Sequence, residues 1–210
     1  MKEIFWYKFG DEKIKDLEKI KTGIVGCRLI LELLWRSGIG CIRYVGDFVT
    51  PNDVKMDVTL KPLEANNYDV VHPMSDDSYI VSYPYEGYDE LKRQLKGCDV
   101  IIAHKHLHEA AKVAERLGAI FIPNFVTIFL PDGISFFEVE LPKIEYDPIS
   151  YSLTCSLQAG ELIRLVTGYK TLAIAPEAYI VRVTHKKYFK KLRLKLKKNK
   201  PNNFKDESQN

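Results

Sequence analysis

The sequence predicts an α/β protein with a Rossmann-like, mostly parallel sheet flanked by helices. Residues 22–45 place a helical segment between two apolar strand-like segments, the pattern of a β-α-β unit with a right-handed crossover. Residues 99–103 form a continuous apolar run, typical of a parallel strand buried on both faces. Residues 150–167 carry apolar side chains at helical spacing. These three features favour one α/β domain.

The amino-terminal elements follow from local patterns. Helical spacing of apolar residues predicts a helix over 9–21. The segment TGIVGC at 22–27 predicts a short buried strand, and LILELLWRS at 29–37 predicts a helix that ends at Gly38. Residues 40–45 predict the second strand of the unit.

The later elements follow from the same reasoning. The polar, proline-containing segment 50–69 predicts a loop with one short strand at 57–60. Helices are expected at 89–96, 109–117 and 150–167. Further strands are expected at 79–83, 99–103, 119–122, 125–130, 134–140 and 172–183, the last broken near Pro176.

Length, hydropathy and charge define the expected organisation. The chain has 210 residues, 46% of them hydrophobic, which suits one domain. No apolar run approaches the roughly 18 residues that span a bilayer, and the first residues lack the apolar core of a signal peptide, so we expect a cytoplasmic protein without a membrane partner. Eleven Lys and Arg against two acids follow position 181, which leaves the rest acidic and disfavours a nucleic-acid partner. We predict a domain over 1–185 and a basic, disordered tail over 186–210.

The four cysteines lie in apolar stretches and are expected to be buried, reduced thiols. None belongs to a C-x-x-C pair, which argues against a zinc knuckle. Cys155, on the predicted helix 150–167, is expected to be structural. For Cys27, at the end of a strand, a nucleophile and a small core residue both remain open.

Polar and basic residues follow three predicted strands at the edge where open α/β sheets bind ligands. Histidines there can donate to phosphate or carboxylate, and a carboxylate can accept from a ribose hydroxyl. Solvated side chains at a helix start are the alternative. No carboxylate pattern completes a metal site, so the sequence predicts no metal, and it assigns no catalytic residue. The candidate ligand-binding residues are Gly26, Cys27, Arg28, Asp47, His104, His106 and His108.

Three segments together resemble the E1-like superfamily, the ubiquitin-activating, ThiF, MoeB and HesA type of adenylating protein. GIVGC at 23–27, with LILELLWRSGIGCIRYVGDFV at 29–49, is similar to the first strand, helix and second strand of that family. GCDVIIAHKHLHEAAKVAERLGAIFIPNFV at 97–126 resembles its central strand, helix and next strand. SLQAGELIRLVTGY at 156–169 resembles its SLQA-x-E helix.

The resemblance implies a Rossmann-like fold that adenylates a carboxylate with ATP and magnesium, but this chain departs from the pattern where that chemistry resides. A phosphate loop G-x-G-x-x-G allows bare backbone to approach phosphates, whereas here Gly26 is followed by Cys27 and Arg28. The family's magnesium-binding Asp falls at Ala103, and a basic residue of its next helix falls near Ala111.

Four functions therefore remain open. The first is a divergent E1-like protein that binds a nucleotide-like or small cofactor ligand in cofactor biosynthesis, with altered adenylation residues. The others are an adenylyltransferase for a small carboxylate, a non-catalytic partner of an active E1-like subunit, and an S-adenosylmethionine-dependent methyltransferase. The cofactor is not identified by the sequence, and ATP or another adenosine-containing ligand is compatible with it. The resemblance implies either a homodimer or an E1-like partner subunit.

Overall fold

The computed structural model describes residues 15–46, 62–65, 68–71, 79–183 and 188–197 of the chain. The helices are α1 (Arg28–Arg36), α2 (Tyr88–Gln94), α3 (Leu107–Leu117) and α4 (Pro148–Val166). The strands are β1 (Lys21–Val25), β2 (Cys41–Val45), β3 (Pro62–Ala65), β4 (Tyr68–Val71), β5 (Tyr79–Tyr83), β6 (Val100–Ala103), β7 (Ile120–Ile122), β8 (Glu177–Val181) and β9 (Phe189–Arg193).

The main sheet has seven strands in the order β3-β4-β5-β2-β1-β6-β7. The five strands β5, β2, β1, β6 and β7 are parallel neighbours, whereas β3, β4 and β5 pair antiparallel. The mostly parallel α/β class that the sequence predicts is therefore confirmed. β1 and β6 each have a strand on both sides, and every residue of the two strands except Lys21 is buried.

Two apolar cores cover the two faces of the parallel strands. Alternate residues of each strand point to opposite faces. Ile24 of β1 therefore joins the core formed with α1 and α4, and Val25 joins the core formed with α2 and α3. Among the described residues, none of the helices combines the length and apolar character needed to cross a lipid bilayer.

The carboxyl-terminal region differs from its prediction. Residues 186–210 were expected to form a disordered tail, but β9 pairs antiparallel with β8 along all five residues. Leu194 is 5% exposed within the second core, and Leu196 forms a bridge with Val139. The expectation of disorder is thus wrong for residues 188–197, because alternating leucines among the lysines give this basic segment an apolar side.

Several other elements differ in detail. The segments 125–130 and 134–140 form isolated bridges and a 3₁₀ turn at Phe136–Glu138 rather than strands. Tertiary contacts, rather than a regular ladder, satisfy their backbone. The hairpin β3-β4 was not predicted. Of the helix expected at 9–21, residues 15–19 are helical, and the strand expected at 57–60 lies outside the described residues.

Candidate functional site

The carboxyl ends of β1 and β6 form the topological switch point of the sheet. α1 connects β1 to β2 on one side, whereas α3 connects β6 to β7 on the other. Ligands of open α/β folds bind in the crevice outside the strand ends at such a point. Cys27 follows β1 and His104 follows β6, so both candidate residues lie at this position. Arg28 is the exposed first residue of α1.

The turn from β1 into α1 consists of only Gly26 and Cys27. Gly26 has φ of 72°, a left-handed conformation that glycine adopts without strain. A Cβ added there would lie 2.6 Å from Cγ of Lys105, because the lysine chain packs against the glycine backbone. The turn is therefore too short to form the glycine-rich phosphate loop of a standard Rossmann site.

A cluster of two thiols, an imidazole and a phenol lies beneath this turn. The Sγ atoms of Cys27 and Cys155 are 3.5 Å apart, and the Tyr151 hydroxyl donates to Cys27 Sγ at 3.1 Å. The His104 and Tyr151 rings make an edge contact with centroids 5.2 Å apart. Tyr151, Cys155 and Gln158 lie on one face of α4, at helical spacing. We call the following five residues the thiol–imidazole cluster: Cys27, His104, Tyr151, Cys155 and Gln158.

The hydrogen bonds within the cluster shift the pKa values of its thiols and its phenol in opposite directions. The hydrogen bond from Cys155 is the largest of the influences that lower the pKa of Cys27, and the hydrogen bond from Tyr151 acts in the same direction. The hydrogen bond with Cys27, together with burial, raises the pKa of Cys155. Burial, followed by the interaction with Cys27, raises the pKa of Tyr151. These hydrogen bonds favour the ionised form at Cys27 over the ionised form at Cys155 or Tyr151.

Gln158 determines which ring nitrogen of His104 carries a hydrogen. The Gln158 amide nitrogen donates to the carbonyl oxygens of Pro123 and Phe125, the second at 3.3 Å. These two contacts fix the amide orientation, so Gln158 Oε1, at 2.8 Å from His104 Nε2, accepts a hydrogen bond from the Nε2–H group of His104. Nδ1 of a neutral His104 then carries a lone pair. It is buried and has no hydrogen-bond partner among the described residues.

The other candidate histidines have separate surroundings. His106 has a positive φ of 52° and stacks on Tyr85 with ring centroids 3.5 Å apart. Its Nδ1 lies 3.5 Å from Glu109, which also accepts a hydrogen bond from Tyr85 at 3.0 Å. His108 contacts the rings of Phe136 and Phe137. The structure brings only His104, of these histidines, into the thiol–imidazole cluster, and Asp47 lies outside the described residues.

The positions at which the adenylating family carries charge are apolar here. Ala103 ends β6 and is fully buried, and Ala111 is 1% exposed within α3. Neither can contact magnesium or phosphate through a polar side chain. Within the described ranges, the group able to hold a metal consists of Cys27, His104 and Cys155, without a carboxylate.

The sequence did not indicate Tyr151, Cys155 or Gln158 as site residues. Cys155 was expected to be structural, yet its sulfur contacts Cys27 across 128 residues of chain. An apolar helix periodicity contains no information about which loop a helix will cover. Gln158 lies in residues 156–169, which resemble the SLQA-x-E helix, but the resemblance assigned it no role.

Comparison with known proteins identifies the fold. The chain superimposes on PaaA with a TM-score of 0.59 at 16% identity, covering 88% of this chain and 67% of PaaA. It superimposes on E. coli MccB with a TM-score of 0.61 at 14% identity, covering 87% of this chain and 64% of MccB. It superimposes on a structure of E. coli MccB with ATP with a TM-score of 0.59 at 14% identity, covering 90% of this chain and 69% of MccB. The chain thus spans about two thirds of the length of these proteins.

No protein-family model and no curated protein matches the sequence. At these low identities the superpositions establish the fold rather than an activity. The fold that they establish agrees with the E1-like resemblance inferred from the sequence. The chain has the ThiF/MoeB-like, E1-like fold of MccB and PaaA, in a divergent form.

Proposed function

We propose that this chain is a divergent E1-like protein that binds a nucleotide-like or small cofactor ligand in cofactor biosynthesis, with the usual ATP-adenylation residues replaced. The observation that carries the proposal is the location of Cys27 and His104 at the switch point between β1 and β6. Open α/β folds bind ligands at that edge of the sheet, and titratable groups with shifted pKa values cluster at functional sites.

The amino terminus of α1 supports an anionic ligand. The Cys27 side chain makes no capping hydrogen bond, and the first turn of α1 contains no acidic residue. Backbone N–H groups at such a terminus favour a phosphate or carboxylate. Arg28 adds a positive charge at the same end of the helix. The structure of MccB with ATP supports an adenosine-containing ligand for this chain as well.

The apolar replacements argue against standard adenylation. Adenylation requires magnesium and preorganised charge around the transferred phosphate, and Ala103 and Ala111 supply neither. The two-residue turn at Gly26 and Cys27 offers fewer backbone donors than a glycine-rich loop. We expect ATP–pyrophosphate exchange with candidate carboxylates to be absent. Robust magnesium-dependent exchange would instead support the adenylyltransferase alternative.

Calorimetry with ATP, NAD and S-adenosylmethionine tests the binding proposal. One of these ligands should bind, and His104→Ala should weaken it by about 1–3 kcal/mol, since a polar partner is lost at the crevice. His108→Ala is the matched control, because His108 contacts Phe136 and Phe137 instead. Binding of S-adenosylmethionine would favour a methyltransferase.

Failure of all three ligands at millimolar concentration would contradict the proposal. The better explanation would then be a non-catalytic partner of an E1-like subunit. Size-exclusion chromatography with light scattering would test the expected homodimer by measuring the mass of the isolated chain. We expect the mass of two chains, whereas a monomer would favour pairing with a different subunit.

A further inference from the structure

The thiol–imidazole cluster has an arrangement that ligand binding by the E1-like fold does not require. One ligand atom each from Cys27, His104 and Cys155 lies within 4.8 Å of the other two. The side chains come from three separate parts of the chain, namely the β1–α1 turn, the end of β6 and the middle of α4. Both cysteines are buried, with Cys27 1% exposed and Cys155 fully buried.

The distances suit a tetrahedral metal ion. Ligands at about 2.3 Å from a zinc ion in tetrahedral geometry lie about 3.8 Å from one another. The two Sγ atoms are already 3.5 Å apart, so a small separation of the thiols would make room for the ion. Two thiolates would also neutralise a divalent cation, which is what an apolar environment requires.

The hydrogen bonds around His104 complete the pattern. A metal-bound histidine usually donates its second ring N–H to a fixed acceptor, which orients the ring and its lone pair. Gln158 is such an acceptor for Nε2, and its own orientation is fixed by the Pro123 and Phe125 carbonyls. Nδ1 remains as a buried acceptor without a hydrogen bond among the described residues. A metal ion would supply the partner that this nitrogen lacks.

We propose that Cys27, Cys155 and His104 form a site for a thiophilic divalent metal ion of the zinc class, with a fourth coordination position open to a ligand in the crevice. Two cysteines and one histidine are a ligand set that leaves a position for substrate or water in catalytic zinc sites. Soft sulfur ligands without a carboxylate select against magnesium. The fourth position would face the edge between β1 and β6 and could accept a phosphate or carboxylate oxygen.

Two alternatives use fewer of the observations. A catalytic Cys27 nucleophile would leave the buried Cys155 sulfur, 3.5 Å from Cys27 Sγ, without a role. A Cys27–Cys155 disulfide would use both sulfurs but would leave the fixed Gln158–His104 pair without a role. Three groups that converge around one point are better explained by a metal ion.

Cobalt titration of the full, reduced chain tests the site without any nucleotide, so its outcome is independent of the proposed ligand binding. Stoichiometric Co²⁺ should give thiolate-to-metal charge-transfer bands and the visible ligand-field bands of a tetrahedral complex, and Zn²⁺ should displace them. Cys27→Ser, Cys155→Ser and His104→Ala should each weaken cobalt binding at least about 10-fold. Cys41→Ser and Cys98→Ser are matched controls, since both are buried thiols outside the cluster.

Thiol protection provides a second readout that does not depend on the folding of the variants. In the wild-type chain, Zn²⁺ should slow alkylation of Cys27 and Cys155 during partial unfolding more than that of Cys41 and Cys98, as mapped by mass spectrometry. The proposal is overturned if reduced wild-type protein gives no thiolate charge-transfer band with Co²⁺. It is equally overturned if the band survives loss of both cluster cysteines, or if Zn²⁺ protects all four thiols alike.

Discussion

Gln158 should be one of the most sensitive positions in the chain, and Gln158→Met tests this directly. The side chain is fully buried and makes hydrogen bonds with His104, Pro123 and Phe125. Methionine has a similar volume, so the substitution removes the hydrogen bonds without opening a large cavity. Each buried group left unpaired costs about 1–3 kcal/mol. The half-buried His104 can turn toward water, and the Phe125 carbonyl keeps the hydrogen bond that it accepts from the Thr127 N–H. Only the Pro123 carbonyl is left unpaired, so we expect a loss of about 1–3 kcal/mol in the free energy of unfolding.

Urea unfolding followed by circular dichroism measures this loss. An unchanged dependence of the free energy of unfolding on urea concentration would show that the folded and unfolded states of the variant resemble those of the wild-type chain. Gln94→Met is the matched control, because Gln94 is also buried and donates to Pro84 and Glu90, away from the cluster. Gln94→Met should reduce the free energy of unfolding by less than Gln158→Met and should leave cobalt binding unchanged. Gln158→Met should reduce both the free energy of unfolding and the affinity for cobalt. A cost for Gln158→Met below about 1 kcal/mol, or no greater than that of the control, would refute the reasoning.

Three further predictions concern the fold. Gly40→Ala should strongly lower the midpoint of urea unfolding, because its Cβ would lie 1.9 Å from the Glu18 backbone oxygen. Leu194→Ala should reduce the free energy of unfolding by about 2–4 kcal/mol in the same assay, since Leu194 is 5% exposed in the core. An unchanged free energy of unfolding would instead support a disordered tail. Hydrogen bonds from the Ser150 side chain and backbone lower the pKa of Asp147 in the folded chain. The ionised Asp147 therefore stabilises the fold at pH values above its pKa in the unfolded chain. This stabilisation is lost as the pH falls through its pKa in the folded chain. Asp147→Ala should therefore lower the melting temperature at neutral pH, and this effect should shrink as the pH falls below the ordinary pKa of an aspartate, about 4.

The central sheet could be predicted from the sequence because its strands are buried on both faces. The apolar runs of β1 and β6 have few alternative conformations in a protein of this size. The hairpin of β3 and β4 was missed because each strand has only four residues, too few for the alternation in PLEA and YDVV to stand out from the surrounding polar segment. The segments 125–130 and 134–140 are apolar enough for strands, yet contacts with the carboxyl-terminal region replace a regular ladder. Local pattern cannot reveal such long-range competition.

The site was predictable in part. The rule that ligands bind at strand ends indicated Cys27 and His104 correctly as residues of one edge, since the order of parallel strands follows from the β-α-β pattern. The meeting of Cys27 with Cys155 depends on how α4 crosses the sheet, and the sequence contains no local feature that specifies this crossing. His104 and His106 are two residues apart, yet the left-handed backbone at His106 directs it toward Tyr85 instead of the thiols.

The central claim is that the edge between β1 and β6 is the functional site of this divergent E1-like fold. A crystal structure of the chain with the ligand identified by calorimetry tests it most directly. The account predicts ligand density at the amino terminus of α1, within hydrogen-bond distance of the first backbone N–H groups and beside the His104 and Cys27 side chains. Ligand density at a different surface, with this edge filled only by solvent, would contradict the claim.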